Sequence, residues 1–218
     1  MSGPIGKFWS LRLEKCKKAL QANNFKVFLA ESSHHAAELI LSEIIPAIGP
    51  KTISWGDSMT LHETGVIDIL MREPHYDVLV TFDASLPREE IIERRRQALL
   101  VDLFLTGTNA VTQTGQLVNL DMVGNRVAAV AFGPKHVVIT AGRNKIVEDL
   151  NQAMRRVKEY AAPINAIRHP LFKTPCIRTS FCMDCKSPDR ICNVWTITEK
   201  SFPKERIKIV LINEDLGL

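Results

Sequence analysis

Four of the five cysteines of this chain fall within seventeen residues, in the segment CIRTSFCMDCKSPDRIC. They are Cys176, Cys182, Cys185 and Cys192, with the spacing C-x5-C-x2-C-x6-C. A soft metal needs several thiolates converging on one point, and a short loop can deliver them. Three chemistries compete for such a set. The thiolates can hold an iron–sulfur cubane, for which four cysteines are the rule. They can hold a structural zinc in a tetrahedral sulfur shell. They can also pair as two disulfides. The start of the sequence, MSGPIGKFWSLRLEKC, lacks a positive stretch followed by an apolar run, so no export signal is expected. A cytoplasmic, reducing setting then disfavours disulfides. Zinc ribbons usually carry two C-x2-C knuckles, and this segment has one. One tight pair and two looser cysteines suit the wider footprint of a [4Fe–4S] cluster, with structural zinc as the runner-up. The fifth cysteine, Cys16, recurs with Trp9, Leu13 and Leu20 on one helical face and reads as core.

A second group of residues suits anion binding. Trp55-Gly56-Asp57-Ser58 follows a short strand and precedes a helix start. Backbone N–H groups at such a junction point beyond the strand end. Gly107-Thr108-Asn109 forms another turn after an apolar run, rich in residues that tolerate tight backbone. Asp121, Gly124, Asn125 and Arg126 make a polar pocket edge, and Gly142-Arg143-Asn144-Lys145 leaves a further strand. These are the candidate ligand-binding residues. No residue pair identifies itself as catalytic, although Glu63 or Asp121 would serve as a carboxylate base. His34 and His35 lie in the first turn of a helix with no carboxylate or metal partner in view, and read as exposed or packed.

The elements that must position these groups alternate. A helix is expected over Ile5 to Ala22, a strand over Lys26 to Ala30, and a second helix capped by Ser32 or Ser33 that stops before Pro46. Lys51 to Trp55, Asp77 to Phe82 and Val101 to Leu105 are apolar runs of the kind buried on both faces of a parallel sheet. Thr60 to Glu63 has capping-box spacing. Glu90 and Arg94 form an i,i+4 pair on a solvated helix. Val111 to Leu120 reads as a hairpin about Thr114-Gly115, followed by a strand at His136 to Thr140 and a helix from Ile146 to Ala161. Pro163 to Pro175, with three prolines, reads as an extended strap. Val194 to Glu199 and Arg206 to Asn213 read as a terminal β-hairpin. The sum is an α/β fold in one domain spanning residues 1–218, with the cysteine loop (175–193) inserted in it. In such sheets ligands bind beyond the carboxyl ends of the strands.

Composition narrows the function. The chain is 45% hydrophobic and 24% charged, with a net charge of +4 whose basic residues are interspersed with acids. A nucleic-acid surface would show a basic stripe with interleaved aromatics, and aromatics are only 6%. No apolar run is long enough for a membrane span.

The stretch TGTNAVTQTGQLVNLDMVGNRVAAVAFGPKHVVITAGRNK (106–145) resembles the signature of the lactate-utilisation (LUD) domain. PCIRTSFCMDCKSPDRICNVW (175–195) resembles the cysteine-bearing branch of that family, and WGDSMT (55–60) and VLINEDLGL (210–218) fit it too. The resemblance implies a three-layer α/β/α sandwich similar to the ribose-phosphate isomerase, glucosamine-phosphate deaminase and CoA-transferase group. It also implies a [4Fe–4S] cluster on Cys176, Cys182, Cys185 and Cys192, and a redox role with lactate or a related small carboxylate. The partner would be a redox protein or that carboxylate, and a homo-oligomer stays open. Two other readings stand beside it. One is a redox-independent enzyme on a sugar phosphate, CoA ester or folate, with the cysteine loop as a staple. The other is a non-catalytic iron–sulfur sensor or partner subunit.

Overall fold

The apolar runs become inner strands of a parallel sheet, where both faces require cover. The computed structural model describes residues 3–169 and 171–218. Its larger sheet comprises β1 (Lys26–Ala30), β2 (Thr52–Trp55), β3 (Asp77–Val78), β4 (Leu103–Gly107), β7 (His136–Gly142) and β10 (Ile207–Ile212). They lie in the order β1-β10-β7-β4-β2-β3, each pair parallel. Alternate side chains of a strand point to opposite faces. On one face Leu103, Leu105, Val138 and Val210 pack against Ala36, Ile40, Ile44 and Leu61 of the covering helices. On the other, Val137, Ile139, Ile209 and Leu211 meet Leu13, Cys16 and Leu20 of the helix Pro4–Ala22. The result is a three-layer α/β sandwich.

A smaller sheet carries β5 (Ala110–Thr112), β6 (Leu117–Asp121), β8 (Ile146–Val147) and β9 (Val194–Thr198), in the order β8-β5-β6-β9. The β5–β6 hairpin turns at Gly115, whose φ of 87° is a conformation that suits glycine. Ala153 and Val157 pack on this sheet through Ala110, Val118 and Leu120.

Several expectations are corrected. The terminal hairpin does not form. β9 pairs antiparallel with β6, whereas β10 inserts between β1 and β7 in the larger sheet. All six residues of β10 are buried, so its IKIVLI run behaves as a central strand and not as a half-exposed one. The Asp77–Phe82 run pairs as a ladder only at Asp77 and Val78, because β3 is the sheet edge with β2 alone beside it. The helix expected from Ile146 begins at Leu150, since Ile146 and Val147 pair with β5 and Asp149 supplies the cap, accepting from the Gln152 amide at 2.8 Å. Ser58, not Thr60, caps the helix Met59–Glu63 by accepting from the Leu61 amide.

Two prolines expected to end helices lie inside them. A π-helical turn at Ile40–Ile44 precedes the helix Ile45–Ile48, which contains Pro46. A second, Val157–Ala161, precedes Ala162–Ile167, which contains Pro163. A proline ring clashes with the carbonyl four residues back and offers no N–H. The wider i→i+5 turn shifts that carbonyl out of register, and the helix continues past the ring. The strap expected over 163–175 is therefore helical up to Ile167, and Pro170 within it lies outside the described residues. Among the described residues no helix is long and apolar enough to cross a membrane.

Candidate functional site

Parallel strands bring their carboxyl ends to one sheet edge, and a cleft of ≈ 880 Å³ opens there. Of the sequence-derived ligand candidates, Asp57, Ser58, Gly107, Thr108, Asn109, Asp121, Asn125, Arg126 and Lys145 all line it. Trp55 and Gly56 lie beneath, Trp55 within the core. Gly124, Gly142, Arg143 and Asn144 are not among its walls. Arg143 turns away to pair with Asp215 at 2.9 Å and to stack over Trp9. Asn144 accepts from the Leu216 amide and donates to the Gly217 carbonyl, holding the final residues. Glu63 is occupied by the Gly217 amide at 3.0 Å.

The turn between β4 and β5 is held by two arginines. Arg126, from the helix Asn125–Ala131, donates to the Gly107 carbonyl, to Asn119 Oδ1, to Asn109 Oδ1 and to the Leu120 carbonyl, at 3.0–3.3 Å. Arg156 donates to the Asn109 carbonyl at 2.7 Å and to the Asn144 carbonyl at 3.1 Å. Two guanidinium forks from two helices thus clamp one turn. Gly107 allows it, because a Cβ there would run into the Ser58 hydroxyl. The aspartates of the cleft are engaged. Asp57 pairs with Arg168, Asp121 accepts from the Arg126 amide, and Asp189 accepts from the Lys173 amide.

Lys145 differs from its neighbours. The residue is only 5% exposed, it lines the cleft, and its side chain has no hydrogen-bond or ion-pair partner among the described residues. Burial pushes its pKa down to about 7, and the nearby Arg156 and Arg126 push the same way against Glu63. Composition and spacing carry no sign of this, because burial of one lysine depends on everything packed round it.

The four loop cysteines are free thiols, and all four line one small cavity with Ala162, Pro163 and Ile191. They reach it from residues far apart in the loop. Cys176 opens a short helical turn, Cys176–Thr179, and residues 180–193 carry neither helix nor strand. Ser180 and Asp184, flanking Cys182, take positive φ angles of 58° and 44°. Arg190 fastens the loop, donating to the Cys185 carbonyl at 2.7 Å and the Cys192 carbonyl at 3.0 Å. It also meets Asp184 at 2.8 Å, which Lys158 reaches at 2.9 Å. Partial burial works against the Lys158 ammonium, but the bond to Asp184 and the nearness of Cys192 and Cys182 hold its pKa above the ordinary value.

The donor set therefore fits a thiolate-bound centre in kind. The cavity these thiols line is small, with a free volume of ≈ 20 Å³. Among the described residues no three His, Cys, Asp or Glu side chains converge as a group able to hold a metal ion. A single zinc would need thiolates each about 2.3 Å from one point. Ala162 and Ile191 line both the cysteine cavity and the large cleft, so the two adjoin.

A family model described as the LUD domain matches residues 13–212. No curated protein matches the chain. Among solved structures, that of a DUF162 family protein from Deinococcus radiodurans superposes with a TM-score of 0.50 at 15% identity, over 94% of this chain and 98% of that one. At that identity the likeness speaks for the fold.

Proposed function

The chain belongs to the LUD domain family, and on that premise we propose that it is an iron–sulfur protein of the lactate-utilisation type. Family membership suggests a function related to lactate utilisation. The finer reading is a [4Fe–4S] protein that supports redox metabolism of lactate or a related small carboxylate, as an electron-transfer or accessory subunit. The observation that carries it is the shared cavity: four unpaired thiols, from positions spread over the loop, line one small cavity next to the cleft.

Cys176, Cys182, Cys185 and Cys192 would hold the cluster, which when bound supplies one-electron transfer. The rest of the chain supplies the setting. Arg190 holds the loop by two carbonyls, and Lys158 and Arg190 would offset the negative charge of a bound cluster. Four cysteine ligands would leave no open position on the cluster, so a substrate would bind elsewhere than at iron.

Protein prepared without oxygen should be brown, with about four irons and four sulfides per chain, and give an EPR signal after dithionite reduction. Cys182→Ser and Cys185→Ser should lose colour and iron. A colourless anaerobic preparation with one zinc per chain would end this reading in favour of a structural metal staple.

A further inference from the structure

A molecule of lactate's size occupies on the order of 100 Å³, judged from the ≈ 30 Å³ share of one water. The cleft holds ≈ 880 Å³, in the upper range of pockets that enclose drug-sized ligands. Its charge is also unbalanced. Its aspartates are paired or hydrogen-bonded, as described above, whereas the Lys145 ammonium lacks a hydrogen-bond or ion-pair partner among the described residues. Arg95, also in the cleft, has a buried Nε with no partner and lays its guanidinium over the Phe82 ring at 5.3 Å. A buried cation with no ion-pair partner is costly, and an incoming anion relieves that cost. The opposite requirement is met by the walls, where Phe82, Ile92, Val123 and Phe172 offer apolar surface.

We propose that the cleft binds an organic phosphate or carboxylate of nucleotide size, with the anionic group seated on Lys145 and the body against the apolar wall that includes Phe82 and Phe172. Such a ligand matches the volume, the unpaired ammonium and the aromatic lining together, which lactate does not. The inference stands apart from the cluster, since none of its residues is a cysteine. Lys145 has Arg126, Arg156 and Glu63 near it, and His62 and the terminal carboxylate of Leu218 line the same cleft. An anion placed beside the amine strengthens its hold on a proton, so binding above pH 7 takes up protons.

The test is isothermal titration and thermal shift of the full chain at pH 8 with adenosine monophosphate, riboflavin 5′-phosphate, folate, inorganic phosphate and L-lactate. At least one of the three large anions should bind ten-fold or more tighter than lactate and phosphate. In buffers of different ionisation enthalpy its binding should show net proton uptake. Lys145→Met should weaken that ligand ten-fold or more, and Lys145→Arg should restore part of the affinity. The Cys182→Ser protein should bind it as the wild type does, which separates this site from the iron. Equal binding of lactate, unchanged affinity in Lys145→Met, or no binding by any of the three large anions would overturn the proposal.

Discussion

Lys145→Met should make the protein more stable at neutral pH, and the gain should vanish in alkali. The lysine ammonium has an ordinary pKa of 10.5 and is pushed down to about 7 in the fold by burial, with Arg156 and Arg126 adding to it. A base with a depressed pKa costs stability, because the unfolded chain holds the proton more tightly. Below about pH 7 both states carry the proton and the cost is complete. Between pH 7 and 10.5 the unfolded chain is protonated and the folded one is not, so stability rises with pH. The slope is about 1.4 kcal/mol per pH unit, and over the whole window it sums to on the order of 4–5 kcal/mol. At 5% exposure the side chain has little solvent to screen this. Methionine keeps the length and apolar stem without the charge. Urea unfolding at pH 7, 8, 9 and 10 for both proteins, with equal m-values, gives the difference in stability. It should favour the variant by up to roughly 4 kcal/mol at pH 7 and shrink at each step. A difference that stays flat across these pH values would mean that Lys145 keeps its proton in the fold, and the reasoning about its burial would be wrong.

Other outcomes follow from the same structure. Asp102 accepts from Lys135 at 2.7 Å and from the Thr52 and Lys51 amides, and these partners hold its pKa below the ordinary carboxylate range. Its contribution is present above about pH 4 and is lost as pH falls, so Asp102→Asn should flatten the acid limb of a stability curve and cost about 1–2 kcal/mol at pH 7. Cys16 is fully buried, its thiol pushed up to about 12 by burial, and lies 3.6 Å from the Thr112 carbonyl. Native protein treated with iodoacetamide at pH 8 should therefore keep Cys16 unmodified on peptide mapping. Cys16→Ser should cost about 1–3 kcal/mol while leaving the iron content of anaerobic protein unchanged.

Local pattern reached the hairpin at Gly115, a serine cap at Ser32 or Ser33 (it is Ser32), the Glu90–Arg94 pair and the core assignment of Cys16. Each of these depends on a few neighbouring residues. It also reached the turns at strand ends, because a parallel sheet must deliver its exits to one edge. It could not sort those turns. Lys145 and Arg143 are two residues apart at one strand exit, yet one enters the cleft and the other leaves to meet Asp215.

What the amino-acid sequence determined alone was the chemistry on offer: four clustered thiols, and apolar runs that demand cover on both faces. Donor identity and strand burial are properties of short stretches, and they survive without knowledge of the rest. The tertiary structure decided what those groups face. It placed β10 between β1 and β7, carried a helix past Pro163 so that Ala162 reaches both cavities, and left one lysine enclosed without a partner. Those outcomes are sums over contacts distant in the chain, and no short stretch contains them.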